Sequence, residues 1–273
     1  MTASILDRNN VTISGQGQRT MLMAHGFGCD QNMWRYVIPE FQNEYRIILF
    51  DYVGCGQSDI NSYKVDRYST LDGYAQDVLD ICKALDLKDV IFVGHSVSCV
   101  IGMLAFIQNP EFFGSMIMIG PSPRYINDKN YVGGFEQKDL EDLLDVMDKN
   151  YIGWANFLAP VVMKNDERPE LTKELEESFC STDPIITRQF ARATFFSDNR
   201  SDLSKIDIPV LILQCADDAI APDSVGNYVS LQIKGSKFIR MEATGHCPHM
   251  SHPQETIRHM ETFLYELYPM HQQ

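Results

Sequence analysis

Ser96 stands in Val93-Gly94-His95-Ser96-Val97-Ser98, after a run of strand formers and before a helical run. A serine at such a strand-to-helix turn is held in a strained backbone conformation. The strain lifts its hydroxyl above the sheet, toward the positive end of the next helix, as a nucleophile for acyl transfer requires. The turn is crowded, so its flanking residues must be small. Gly94 and Ser98 meet that demand, with serine where glycine is usual. A pattern this short recurs by chance in many chains, so its meaning depends on context.

Three further segments supply the context. His25-Gly26-Phe27-Gly28 follows a strand candidate, and a glycine-rich turn there can aim the Phe27 N–H at the site beside the N–H of Val97. Two such donors make an oxyanion hole for a tetrahedral intermediate. Taken alone, the segment is equally a plain turn. Cys215-Ala216-Asp217-Asp218 ends another strand candidate, at the sheet edge where sites collect. Spacing and chemistry do not separate Asp218 from Asp217. Gly245-His246-Cys247-Pro248-His249 follows a third, and suits His246 as a base reaching back to Ser96. The order Ser…Asp…His is the one this kind of sheet carries. Four signals at strand ends, in that order, outweigh coincidence.

His246, His249, His252 and His259 also raise a metal site. Pro248 and Pro253 break the helical spacing that histidine ligands would need, and no thiol pair accompanies them, so no metal is expected. Asp51-Tyr52-Val53-Gly54-Cys55-Gly56-Gln57-Ser58-Asp59 does not match a dinucleotide fingerprint and reads as a structural loop. No cofactor is implied.

The elements that must hold these residues are short apolar runs alternating with amphipathic stretches. Strands are expected at 11–14, 20–24, 46–50, 90–93, 115–119, 210–214 and 237–241. Several are nearly unbroken Val, Ile, Leu and Met, as in a parallel sheet covered on both faces. Helices are expected at 34–43, 71–85, 97–108, 224–232 and 254–267. The alternation predicts an α/β fold with a mostly parallel central sheet and helices on both faces.

The alternation stops over residues 123–199, where only helical periodicity remains. Leu140, Leu143, Leu144 and Met147 line one helix face. Residues 151–163, 171–179 and 184–195 read as helices too, the last capped by Asp183 with Pro184 at its first position. The segment is expected to be a helical lid inserted into a core made of 1–122 and 200–273. Tyr125, Phe135, Trp154, Phe157, Phe195 and Phe196 mostly pack the lid. With Phe27, some of them should line an enclosed pocket for a small, mostly apolar ligand.

Composition narrows the partners. The 273 residues carry 37 acidic against 23 basic side chains, a formal charge of −14, so phosphate backbones and anionic membranes are repelled. Nucleic acid and membrane are therefore not expected as partners. The uncharged stretch 90–107 approaches a membrane span in length, but its glycines, serines and histidine fit strand, turn and buried helix better. Seven cysteines without paired spacing, and an N-terminus lacking a secretory pattern, suggest a reducing, cytoplasmic setting.

Several segments resemble the RsbQ family, which includes the plant karrikin and strigolactone receptors: His25-Gly-Phe-Gly, Asp51-Tyr-Val-Gly-Cys-Gly, Gly94-His-Ser-Val-Ser, Ser122-Pro-Arg-Tyr, Asn150-Tyr-x-x-Trp and Gly245-His-x-Pro. The likeness spans nearly the whole chain. It implies the α/β-hydrolase fold, with Ser96, Asp218 (rather than Asp217) and His246 as a triad. It also implies a four-helix lid over a pocket lined by Phe27, Tyr125, Phe135, Trp154 and Phe195. Leu158 departs from the pattern, since relatives usually carry Phe there. Two activities are implied. One is a serine hydrolase of carboxylesterase or lactonase type, acting on a small hydrophobic ester or butenolide-like lactone. The other is a sensor that binds or slowly processes such a ligand and regulates a partner such as a PAS-domain phosphatase of the general stress response.

Overall fold

The computed structural model describes residues 4–269; Met1–Ala3, where the N-terminal stretch read above begins, lie outside them. The strands are β1 (Thr12–Ser14), β2 (Arg19–Ala24), β3 (Tyr45–Leu49), β4 (Val90–His95), β5 (Phe113–Ile119), β6 (Val210–Gln214) and β7 (Lys237–Arg240). They form one sheet in the order β1-β3-β2-β4-β5-β6-β7. Only β1 runs antiparallel to its neighbour. All seven strands lie where the apolar runs put them. Successive side chains alternate between two apolar layers, as the two-residue period of a strand requires. Met21, Met23, Ile91 and Val93 enter one layer, and Leu22, Ala24, Val90 and Phe92 the other.

Helices α1 (Leu71–Ala84), α2 (Val97–Gln108) and α7 (Asp223–Gln232) cover the second layer; α8 (Pro253–Leu267) covers the first. Between β5 and β6 the chain forms α3 (Gln137–Lys149), α4 (Tyr151–Met163), α5 (Pro169–Ser181) and α6 (Pro184–Phe195). Caps set two of their starts. Asn150 accepts from the Gly153 N–H, and Asp183 accepts from the N–H groups of Ile185 and Ile186, filling donors the first turn leaves free.

One expected element is corrected. Residues 34–43 are not a continuous helix: a 3-10 turn over Gln31–Trp34 is followed by a single α-turn over Ile38–Phe41. Pro39 has no N–H to give to the residue four before it, and its ring crowds that carbonyl. No helix among the described residues is long and apolar enough to cross a membrane.

Gly102 fixes how closely α2 lies on the sheet. A Cβ built there would stand 2.1 Å from a ring carbon of Phe92, which is fully buried on β4. Gly102→Ala should therefore destabilise the protein. The helical preference for alanine is worth about 1 kcal/mol, whereas overpacking against an immobile ring costs about 1–3 kcal/mol. Urea unfolding of the variant would show a lower midpoint, partly restored by Phe92→Leu. An alanine variant as stable as the parent would contradict this packing.

Candidate active site

Ser96 sits between β4 and α2 with φ 57° and ψ −123°, outside the regions that non-glycine residues ordinarily occupy. The neighbouring backbone holds it there. A Cβ on Gly94 would come within 2.8 Å of the Ser98 backbone, so only glycine lets strand and helix approach this closely. The Ser96 N–H donates to the Ile119 carbonyl at 2.8 Å, tying the turn to β5.

The Ser96 hydroxyl donates to Nε2 of His246 at 2.7 Å. Nδ1–H of His246 donates to Oδ2 of Asp218, also at 2.7 Å. The second Asp218 oxygen accepts from the N–H groups of Ile220 and Ala221 at 2.8 and 3.0 Å, which fixes the carboxylate's plane. All three side chains are buried. Asp217 takes no part: it is largely exposed and paired with Lys164, while its carbonyl accepts from Gly245. The successive acids end up on opposite sides of their loop.

The Phe27 and Val97 N–H groups donate to no protein acceptor among the described residues. The turn that carries Phe27 is firmly held. His25 donates from Nδ1 to the Gly26 carbonyl at 2.8 Å and accepts the Tyr52 N–H on Nε2. Ser98, at the position where glycine is usual, donates its hydroxyl to the His25 carbonyl and pairs with the Tyr52 hydroxyl. Serine there fits and also braces the turn opposite.

A cavity lies over Ser96 and His246. Phe27, Tyr125 and Phe195 line it, as does Leu158. Two other aromatic assignments are corrected. Trp154 lies one helical turn before Leu158 and is covered by Phe27 and Phe179, with ring centroids at 6.2 and 5.2 Å. Phe135 stands beyond Leu158 and Ile220, in an outer groove between α3 and α4 with Leu143, Val146 and Phe157. In their place the cavity is walled by Val162, Leu175, Phe179, Thr194 and Ile220. Leu158 and Val162, and Leu175 and Phe179, are spaced four apart on their helices. That spacing marks a buried face, but not whether it meets protein or cavity. The Tyr125 and Thr194 hydroxyls are buried without hydrogen-bond partners among the described residues and line the same, mostly apolar, space.

The helices between β5 and β6 also bind the loops below them. The His246 N–H donates to the Val162 carbonyl at 2.8 Å, and the Ser178 hydroxyl to the Gly28 carbonyl at 2.7 Å. The remaining histidines of the C-terminal cluster are dispersed. His249 packs on Trp34 with centroids 4.6 Å apart, His252 pairs with Ser251, and His259 faces Glu255. No group of three His, Cys, Asp or Glu among the described residues could hold a metal ion.

The chain matches the model of the alpha/beta hydrolase fold family over residues 19–253. It belongs to that family, and it is a hydrolase. Among curated relatives, strigolactone esterase RMS3 of Pisum sativum is 38% identical over 97% of this chain and 99% of its own length. Karrikin insensitive 2 receptor CA of Petunia hybrida is 36% identical over 92% of this chain and 93% of its own. A solved hydrolase from Oleispira antarctica superposes with a TM-score of 0.93 at 49% identity, covering 95% of this chain and 96% of the other.

Burial sets a pH limit on this site. Desolvation lowers the pKa of His25 and of His95, and holds that of His249 down at about 3. Each is neutral when folded and protonates freely when unfolded, so stability is full above the unfolded pKa of about 6.5 and falls as pH drops below it. For His249 the loss continues to about pH 3, at about 1.4 kcal/mol per pH unit. Urea unfolding at pH 6.5 and 5 should show a decline that is smaller in His249→Leu by about 2 kcal/mol. Equal declines would mean that His249 protonates in the folded protein.

Proposed function

We propose that this chain is a serine hydrolase of small, largely apolar esters or lactones, with Ser96 as nucleophile, His246 as base and Asp218 as the group orienting the histidine. The observation that carries the reading is the unbroken Ser96–His246–Asp218 chain of 2.7 Å hydrogen bonds on the floor of an apolar cavity. Ser96 Oγ attacks the carbonyl carbon while its proton passes to His246 Nε2. Asp218 keeps the proton on Nδ1 and stabilises the imidazolium. The N–H groups of Phe27 and Val97 receive the developing oxyanion. As the tetrahedral intermediate collapses, His246 returns the proton to the leaving oxygen, which departs as an alcohol or, in a lactone, stays attached through the acyl chain. Water then attacks the acyl-serine, giving its proton to His246, which passes it to Ser96 Oγ as the C–Oγ bond breaks and the acid is released.

In this reading residues 123–199 act as a lid on the core formed by 1–122 and 200–273, and exclude water from the apolar part of the ligand. The Tyr125 and Thr194 hydroxyls, unpartnered among the described residues, supply its polar anchors. An ester or lactone fits because it is apolar along most of its surface and polar at one carbonyl.

A second reading follows the resemblance to the RsbQ family and the names of the plant relatives. There the chain senses its ligand, turning it over slowly, and regulates a protein partner such as a PAS-domain phosphatase. Exposed Ile152, Phe157 and Ile185 on the outer side of α4 and α6 favour a contact surface on the lid.

Hydrolysis of p-nitrophenyl acetate and of a synthetic butenolide should fall by about 10³-fold or more in Ser96→Ala. Asp218→Asn should lose about 10⁴-fold in kcat through the wrong histidine tautomer, while Asp217→Asn stays near the parent. Full activity in Ser96→Ala would end the nucleophile assignment. Turnover too slow to follow by both parent and variant would favour the sensor.

A further inference from the structure

His95 precedes the nucleophile on β4 and is buried, yet the proposed reaction gives it no chemical task. Its contacts reach two separate parts of the site. Nε2 lies 2.8 Å from the His246 carbonyl. A carbonyl can only accept, so Nε2 carries the proton and Nδ1 is bare. The bare edge rests on Gly26, where an added Cβ would come 2.4 Å from Nδ1 and 2.9 Å from Cε1. The ring also packs against those of His246 and His249, at centroid distances of 4.9 and 4.5 Å and tilted by 51° and 55°. One ring therefore separates the histidine loop from the turn that carries the Phe27 N–H, while its own backbone leads into Ser96.

We propose that His95 is a positioning residue that holds the His246 loop and the Gly26–Phe27 turn at a fixed spacing around Ser96. The role rests on the serine-hydrolase reading and adds a residue to it. Nucleophile, base and oxyanion donors come from three chain segments, and a shift of about 1 Å between them can cost about 100-fold in rate. A rigid ring that donates to one segment and abuts another removes that freedom. Leucine at this position would fill the space without donating to the His246 carbonyl. Glutamine would restore the N–H at nearly the reach of imidazole Nε2.

The test compares parent, His95→Leu, His95→Gln and Ser96→Ala on p-nitrophenyl acetate, with thermal unfolding alongside. The expected result is a kcat lowered about 30- to 100-fold in His95→Leu with KM within about threefold, and most of the loss recovered in His95→Gln. A leucine variant with the parent's kcat, or a glutamine variant no better than leucine, would overturn the proposal. Nitrogen-15 NMR of the unaltered protein at pH 7 gives a second check that needs no variant. It should show the His95 Nε2–H tautomer, and a proton on Nδ1 would equally overturn it. Full activity in Ser96→Ala would instead sink the reading on which the proposal rests.

Discussion

The backbone of Ser96 is the constraint on which the remainder of the site depends. A serine at φ 57° costs about 1–3 kcal/mol and persists only where its surroundings leave no alternative. Here they leave none. Gly94 allows α2 to cross β4 at near contact, Gly102 lets the helix settle on Phe92, and the Ile119 carbonyl captures the Ser96 N–H. Small residues at 94 and 102 therefore set the height of one hydroxyl above the sheet. The strain is offset by the packing of two whole elements, so no local rearrangement can relieve it.

Around that hydroxyl, burial does the electrostatic work. Asp218 is held by two backbone N–H groups as well as by His246, an arrangement that orients an ionised carboxylate without exposing it. His95 and His249 lie near the proposed base and His25 backs the Phe27 turn; burial keeps all three neutral. A charged neighbour would oppose the imidazolium that His246 must become, so neutral rings are the compatible choice. His25 and His95 hydrogen-bond their neighbours and His249 packs on Trp34, each with its charge absent.

The helices over the sheet are bound to the same loops that supply the chemistry. Val162 bonds to His246, Ser178 to Gly28, and Arg35 forms an ion pair with Glu174. Movement of α4 or α5 would thus be felt at His246 and at the Gly28 turn. Hydrolysis and signalling need not compete as explanations, since the same bonds serve both. Leu158 lines both the cavity over Ser96 and the outer groove, and so forms the wall between them.

Much of this was legible without coordinates, because strand runs, helical periods and turn glycines act over a few residues. The seven strands, α2 and α4, and the candidate positions 96 and 246 could all be named from local pattern. Asp217 and Asp218 could not be separated by spacing, because their difference lies in which side of one loop each faces. That direction is set by the N–H groups of Ile220 and Ala221 and by Lys164, from another element. Trp154 and Phe135 look like pocket residues in a linear reading, since an aromatic packed against protein and one facing a cavity have the same period and chemistry. The role of His95 was invisible for the same reason. Its contacts come from two segments far apart in the chain, around Gly26 and around His246, and only their folding around one ring brings them together.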